Sequence, residues 1–170
     1  GPGEDGGLRP LAVVGQQVSV AGAVTVIGRI AARYGEPMPE ADGDLHRRFP
    51  TPDAVAALDP ATLPMPRRRA AALVGLARAV ADGAIVLDAG TDRDHTRAAL
   101  LALDGIGPWT VEDIALRALG DPDAFPATDL GVRTALAARG LDTPADVERH
   151  ARRWRPWRAY ATIHVWSSLP

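Results

Sequence analysis

The chain has 170 residues, of which 46% are hydrophobic and 24% charged, a balance that allows a packed core and excludes a disordered chain. It contains no cysteine, which excludes disulfides, thiolate zinc sites, iron–sulfur clusters and a cysteine nucleophile. The net charge of −2 means that nucleic-acid binding, if proposed, must rest on local geometry.

The N-terminal residues 1–7 are rich in glycine, and we expect them to form a disordered leader before a core that spans residues 8–170. No segment resembles a secretion signal or a membrane span. We therefore expect a soluble, intracellular protein in the cytoplasm, and by default we expect a monomer without a cofactor.

Helical periodicity predicts an all-α fold of about eight helices, with no convincing strand. The first helical stretch is predicted over about residues 8–34, with a stop at Gly35, and is apolar nearly all round, which predicts a place at the centre of the bundle. Residues 36–50 are predicted to be a loop, and Thr51 is predicted to cap a short helix that ends at Leu58. Further helices are predicted over residues 67–82, 92–103, 109–119, 129–138, 144–154 and 157–168.

The segment LDGIGPWT (103–110) joins two of these helices through a tight turn. Gly105 and Gly107 can adopt positive φ angles, and Ile106 can plug into the core to hold the turn. Backbone N–H groups at the start of the next helix would then face outward, where they can bind a phosphate of DNA. A plain helical hairpin with a glycine turn is the alternative.

Asp129 stands where a helix is predicted to begin, in the segment FPATDL (125–130). Aspartate is a favoured N-cap residue, so a purely structural role is one interpretation. Thr128 can cap equally well, which would leave the Asp129 carboxylate for chemistry.

Four tryptophans occur, and none precedes residue 109. Each can fill the core, yet aromatic faces also stack on an electron-poor base that has been flipped out of DNA. The arginines of residues 152–158 can contact phosphates or form a solvated face. The four histidines show no metal-ligand spacing, so no metal site built from side chains is expected.

Together these segments resemble the 3-methyladenine DNA glycosylase II family, within the helix-hairpin-helix, Gly/Pro-rich loop, aspartate superfamily. The resemblance covers residues 8–168 and rests on four motifs: VVGQQVSVAGA (13–23), LDGIGPWT (103–110), DAFPATDLGVR (123–133) and RRWRPWRAYATIHVW (152–166). It implies two lobes with a helix-hairpin-helix motif and a cleft between the lobes.

The resemblance also implies a role for each matching residue. Asp129 would be the catalytic carboxylate, and Trp109 and Trp166 would line the pocket for the extruded base. The hairpin would grip a DNA phosphate, with a monovalent cation as an optional backbone ligand, and Gln17 would fill the gap left in the duplex. The implied DNA-binding residues are Gly105, Ile106, Gly107, Thr110 and Gln17.

Two departures from the family pattern stand out. The given sequence has no counterpart of the β-rich N-terminal domain common in this family, and we expect either a pocket that lacks some residues or a longer polypeptide with an N-terminal or regulatory domain. Asp113 occupies a pocket position that is aromatic in the family; a second pocket carboxylate and an exposed helix residue are both open interpretations.

The predicted function is a monofunctional DNA glycosylase acting in base excision repair. It would flip an alkylated, cationic purine out of double-stranded DNA and hydrolyse its N-glycosidic bond, leaving an abasic site. The chain contains no lysine, which excludes a lysine Schiff base. Three alternatives are a non-catalytic DNA-binding module, a glycosylase for deaminated or oxidised bases, and a helical protein-interaction domain.

Overall fold

The computed structural model describes residues 20–42 and 45–169, and over these ranges the protein is mostly helical. The described elements are α1 (Val20–Tyr34), β1 (Pro37–Asp42), β2 (Leu45–Arg47), α2 (Pro52–Ala56), a 3-10 helix (Pro60–Thr62), α3 (Arg67–Ala81), α4 (Arg93–Leu101), α5 (Pro108–Arg117), α6 (Leu130–Ala137), α7 (Pro144–Ala151), a second 3-10 helix (Arg152–Trp154) and α8 (Arg158–Ser167). The predicted helical fold with about eight helices is therefore confirmed. The predicted leader 1–7 and Gln17 lie outside the described residues.

The prediction that the chain has no strand is wrong. β1 and β2 pair antiparallel, with Pro37 opposite Arg47 and Asp42 opposite Leu45, inside the segment predicted to be a loop. Prolines cannot donate to a ladder and the segment lacks alternating β-branched residues, so its sequence carries little strand signal. A two-stranded sheet tolerates proline because each of its strands is an edge.

Helix α1 ends where it was predicted to end, but it is not buried on all sides. Ala23 and Ile30 are buried, whereas Val24 is 58% exposed. Apolar periodicity shows which faces could be buried, and neighbouring elements decide which face is covered. The helix stops at Gly35, where a Cβ would overlap the carbonyl oxygen of Arg48.

Most other helix boundaries follow their predicted caps. The Thr51 hydroxyl accepts a hydrogen bond from the Ala54 amide at 3.3 Å, and Pro52 opens α2. Helix α3 ends at Ala81 beside Gly83, which has a φ of 71°. Helices α2, α4, α5 and α7 end two or three residues earlier than predicted, because turns and a 3-10 helix replace their last turns. No helix in the described ranges has the length and hydropathy needed to cross a membrane.

The chain divides into two compact units, in agreement with the prediction of two lobes. Of the described residues, the first unit contains those up to Leu87 together with Asp94–Ile106, and the second contains Asp88–Arg93 together with those from Gly107 onward. In the first unit α2 packs against α3, and residues such as Leu73, Leu100 and Ile106 are buried.

The second unit is built around a cluster of buried apolar side chains to which α6, α7 and the loop before α6 contribute. Its members are Phe125, Val132, Leu136, Val147 and Ala151. Trp154 packs against this cluster and meets the Phe125 ring edge-on at a centroid distance of 6.0 Å, so this tryptophan fills the core. The cluster fixes α6, and α6 carries Asp129 at its start.

A buried arginine ties this unit together. Arg158 donates two hydrogen bonds to Asp123, at 2.7 and 2.8 Å, and one to Glu148 at 2.9 Å. Burial alone would raise the pKa of Asp123, but the hydrogen bonds and charge of Arg158 outweigh it and hold that pKa below its ordinary value. Neither interpretation offered for the arginines of residues 152–158 fits Arg158, which is neither solvated nor placed to meet a phosphate.

We expect Arg158→Met to lower the free energy of unfolding by about 2–3 kcal/mol, because it removes the charge-assisted hydrogen bonds to two partly exposed carboxylates. Urea unfolding at neutral pH measures this loss. Arg155→Met is the matched control: Arg155 is more exposed and 3.7 Å from the same carboxylate, and its loss should cost no more than about 1 kcal/mol.

The same ion pair predicts a pH dependence. A depressed carboxyl pKa contributes stability that is present above the ordinary carboxyl pKa of about 3.9 and is lost as the pH falls through the folded value. Acidification below about pH 4 should therefore narrow the stability gap between wild type and Arg158→Met. A gap that stays constant would show that packing, and not the ion pair, accounts for the loss.

Candidate active site

Asp129 is the N-cap of α6. Its Oδ1 accepts a hydrogen bond from the Val132 amide at 2.9 Å, and its backbone is extended, as the cap geometry requires. The interpretation of Asp129 as a helix cap is thus confirmed. Thr128, offered as an alternative cap, is exposed and does not cap the helix.

The Asp129 carboxylate has two further partners that a cap does not need. The indole Nε1 of Trp166 donates to Oδ1 at 2.9 Å, and the indole Nε1 of Trp109 donates to Oδ2 at 2.9 Å. All three donors are N–H groups, matched to a carboxylate that can only accept. The structure therefore brings together the three residues that the sequence singled out as acid and aromatic pocket.

Helix α5 carries a second carboxylate toward the same place. Asp113 is buried, 4% exposed, and its Oδ1 accepts a hydrogen bond from Arg117 Nε at 3.0 Å. Burial raises the pKa of the Asp113 carboxyl above its ordinary value, and the nearby Arg117 guanidinium offsets only part of that rise. The interpretation of Asp113 as an exposed helix residue is wrong.

Arg117 is the residue that sequence reasoning missed. Its guanidinium carbon lies 5.4 Å from the centroid of the Trp166 ring, within the range of a cation–π contact. Residues 109, 113 and 117 recur at four-residue spacing and so share one face of α5. That spacing was already visible between Trp109 and Asp113, and one more helical step would have found Arg117.

Gly131 explains how Trp166 can come so close to the carboxylate. A Cβ at Gly131 would lie 2.9 Å from Leu169 Cδ1, 3.1 Å from Asp129 Oδ1 and 3.3 Å from Trp166 Cδ1. Any larger side chain in this first turn of α6 would press on both the indole and the carboxylate. The glycine is needed for space here, not for an unusual backbone conformation.

The predicted hairpin turn follows its sequence at Gly105 and Ile106. Gly105 has a φ of 81°, and a Cβ there would also lie 2.9 Å from the Cβ of Ala72. Ile106 is buried and its amide donates to the Leu103 carbonyl at 3.1 Å, so it anchors the turn as expected.

Gly107 and Thr110 belong to the start of α5. Gly107 is the N-cap of α5 and has a φ of −102°, so it does not adopt the positive φ that the turn was expected to need. Many residue types can adopt this extended backbone conformation. A Cβ at Gly107 would meet nothing within 4 Å, which leaves open space beside this backbone. Thr110 is buried in the first turn of the helix.

The other two tryptophans lie apart from this carboxylate. Trp157 is 58% exposed and meets Tyr160 edge-on, while Trp154 belongs to the core. Across residues 20–42 and 45–169, no group of three or more histidine, aspartate or glutamate side chains could hold a metal ion.

Comparison with known proteins supports the resemblance inferred from the sequence. The model of the "HhH-GPD superfamily base excision DNA repair protein" family matches residues 11–158. The chain is 49% identical over 161 residues to the "Probable bifunctional transcriptional activator/DNA repair enzyme AlkA" of Mycobacterium tuberculosis, covering 93% of this chain and 32% of that protein. It is 38% identical over 158 residues to the "DNA-3-methyladenine glycosylase 2" of Escherichia coli, covering 91% of this chain and 54% of that protein.

A solved structure gives the same result for the fold. The "3-methyladenine dna-glycosylase from Archaeoglobus fulgidus" superposes with a TM-score of 0.77 at 26% identity, covering 93% of this chain and 56% of that one. The chain thus spans between about a third and about a half of the length of these relatives. The family resemblance predicted from the sequence is confirmed.

We expect Gly131→Ala to disturb the hydrogen bond between Trp166 and Asp129, because the new methyl group would force one of them to move. In a two-dimensional ¹H–¹⁵N NMR spectrum, the Trp166 indole N–H resonance should shift toward the position of an indole bonded to water. The Trp109 resonance should move less, because this indole binds the other carboxylate oxygen.

Gly75→Ala serves as the control, because Gly75 is also a helical glycine and a Cβ there would meet nothing within 4 Å. It should leave both indole resonances in place and stabilise the helix by roughly 0.5–1 kcal/mol. Equal shifts in the two variants would mean that Gly131 has no special role in seating Trp166.

Proposed function

The chain belongs to the HhH-GPD superfamily of base excision DNA repair proteins, and we propose that it acts as a monofunctional glycosylase that releases alkylated purines from double-stranded DNA. The observation that carries this proposal is the Asp129 carboxylate, held by the indole N–H groups of Trp109 and Trp166. Its relatives are named for the release of 3-methyladenine, which fits the alkylated substrates proposed for this chain.

Cleavage of the N-glycosidic bond is helped by a negative charge that is held in a fixed position. When the bond between C1′ and the base breaks, its electron pair leaves with the base and positive charge develops on the sugar. A carboxylate that is already oriented stabilises this charge without reorganising during the reaction. Asp129 meets this requirement, because its three hydrogen bonds come from the start of α5, the start of α6 and the end of α8.

Trp109 and Trp166 serve the proposed site in two ways. Their N–H edges orient the carboxylate, and their rings bring aromatic surface next to it, where an extruded base can be held by stacking. A cationic alkylated purine gains additional attraction from the electron-rich ring face. Such a base also leaves readily, so the site needs no strong acid to protonate it.

DNA binding is proposed to rest on the turn that runs from Gly105 to Thr110. The backbone amides of Gly105, Gly107 and Thr110 would contact a phosphate without reading sequence, which fits a repair enzyme and needs little net positive charge. The open space beside Gly107 supports close approach of a DNA backbone. Gln17, which lies outside the described residues, would fill the gap left by the extruded base, and a monovalent cation could join the turn.

We expect Asp129→Asn to reduce base release from methylated duplex DNA by at least about a hundredfold, because it removes the charge that faces the developing cation. Asparagine can still cap α6 through its carbonyl oxygen, so affinity for a duplex that carries an abasic site should change little. Chromatography of the released bases and fluorescence anisotropy measure the two quantities.

Thr143→Ala is the control for a weakened helix start elsewhere in the second unit. The Thr143 hydroxyl accepts a hydrogen bond from the Asp146 amide at 3.1 Å at the start of α7, away from the carboxylate. Its loss should cost about 1 kcal/mol of stability and leave base release unchanged. If Thr143→Ala and Asp129→Asn reduce release equally, the role of Asp129 is structural.

The proposed enzyme leaves the DNA backbone intact. Strand cleavage by a lysine Schiff base is excluded because the chain has no lysine. Incubation with methylated duplex DNA should therefore yield abasic sites that break only after heat or alkali. Direct nicking that co-purifies with this protein, and that Asp129→Asn abolishes, would overturn the monofunctional assignment.

A further inference from the structure

We propose that Arg117, held in place by Asp113, sets which charge state of base the site prefers, by opposing cationic bases and assisting the release of neutral purines. This inference rests on the glycosylase function proposed above. It makes Arg117 and Asp113 a specificity element, distinct from the carboxylate that faces the sugar.

Arg117 is connected to the site on two sides. Its Nε donates to Asp113 at 3.0 Å, and its guanidinium carbon lies 5.4 Å from the centre of the Trp166 ring. The Trp166 indole in turn donates to Asp129. A full positive charge therefore lies one aromatic ring away from the proposed catalytic carboxylate.

The two members of the pair differ in exposure, and this suggests different tasks. The Asp113 side chain is 5% exposed and the Arg117 side chain is 37% exposed. The hydrogen bond to Asp113 uses Nε, so the terminal amino groups of the guanidinium are left for other partners. The buried Asp113 carboxylate holds the Nε end of the guanidinium, and the rest of the guanidinium is partly exposed beside the Trp166 ring.

The charge of Arg117 acts in opposite directions on the two classes of base. A cationic alkylated purine is repelled as it approaches the guanidinium, and it becomes neutral when the electron pair of the C1′–N bond moves onto it. A neutral purine is not repelled, and it gains negative charge when it accepts the same electron pair. The guanidinium stabilises that developing charge. In both cases water adds to C1′ and gives up a proton, with Asp129 stabilising the sugar cation.

Asp113 moderates this effect. Its carboxylate lies beside the guanidinium, so it cancels part of the positive charge felt by a base. Removing its charge leaves Arg117 uncompensated next to the Trp166 ring. Variants of the two residues are therefore expected to shift base preference in opposite directions, which a loss of packing would not do.

The test measures release of cationic 7-methylguanine and neutral hypoxanthine from duplex DNA by one preparation of each protein. Arg117→Met should raise the ratio of the two rates on the order of tenfold, the size expected for unit charges roughly 10 Å apart at an effective dielectric constant of about 20. Asp113→Asn should lower the ratio severalfold. Arg117→Lys retains the charge, so its ratio of the two rates should stay within about twofold of the wild-type ratio.

The ratio is insensitive to partial unfolding, because both bases meet the same active fraction of protein. Equal losses on both bases in Arg117→Met would show that the arginine only supports Trp166, and the inference would be overturned while the glycosylase function stands. A ratio that shifts in the same direction in Arg117→Met and Asp113→Asn would overturn it as well. If the wild type releases neither base, the proposed function fails and the inference fails with it.

Discussion

The hydrogen bonds that the Asp129 carboxylate accepts hold the rest of the site in place. The two oxygens of this carboxylate accept hydrogen bonds from the start of α6 and from indoles on α5 and α8, so one side chain joins three helices. Loss of a cap costs about 1 kcal/mol, whereas a buried donor left without an acceptor costs about 1–3 kcal/mol. The indole contacts therefore constrain this carboxylate more than a cap requires, and the role proposed for it at the sugar would use that fixed orientation.

Helix cap and active carboxylate are two interpretations of Asp129, and the structure shows that one does not exclude the other. A cap uses one oxygen, and a carboxylate has two. Local patterns predict most helices and the Gly105 turn, because each depends on neighbours in the chain, whereas Asp129, Trp109 and Trp166 stand out together only through the family resemblance, because their contacts span 20 and 37 residues. The β1–β2 hairpin and the buried Arg158 escaped prediction, because pairing across a prolyl segment and burial of a charge are decided by distant partners such as Asp123 and Glu148.

The arginines show how little residue type alone determines. Arg158 is buried and bonds two carboxylates, Arg155 lies largely in solvent near one of them, and Arg117 links a buried carboxylate to an aromatic ring. Net charge averages over all of them and so predicts none of these roles. What distinguishes Arg117 is its register on α5, one helical step beyond Asp113 and two beyond Trp109, which places ring, carboxylate and guanidinium on one face.

Solvent decides how strongly such a charge can act. Arg117 is about a third exposed in the free protein, so water screens its field, and only a modest effect on any approaching ion is expected there. A purine that settled against the Trp166 ring would displace some of that water and lower the local dielectric constant. The same base would then meet a stronger field than the one it encountered on approach, so discrimination would grow as the complex forms. A bound base would in this way increase the electrostatic effect of Arg117 on its own charge.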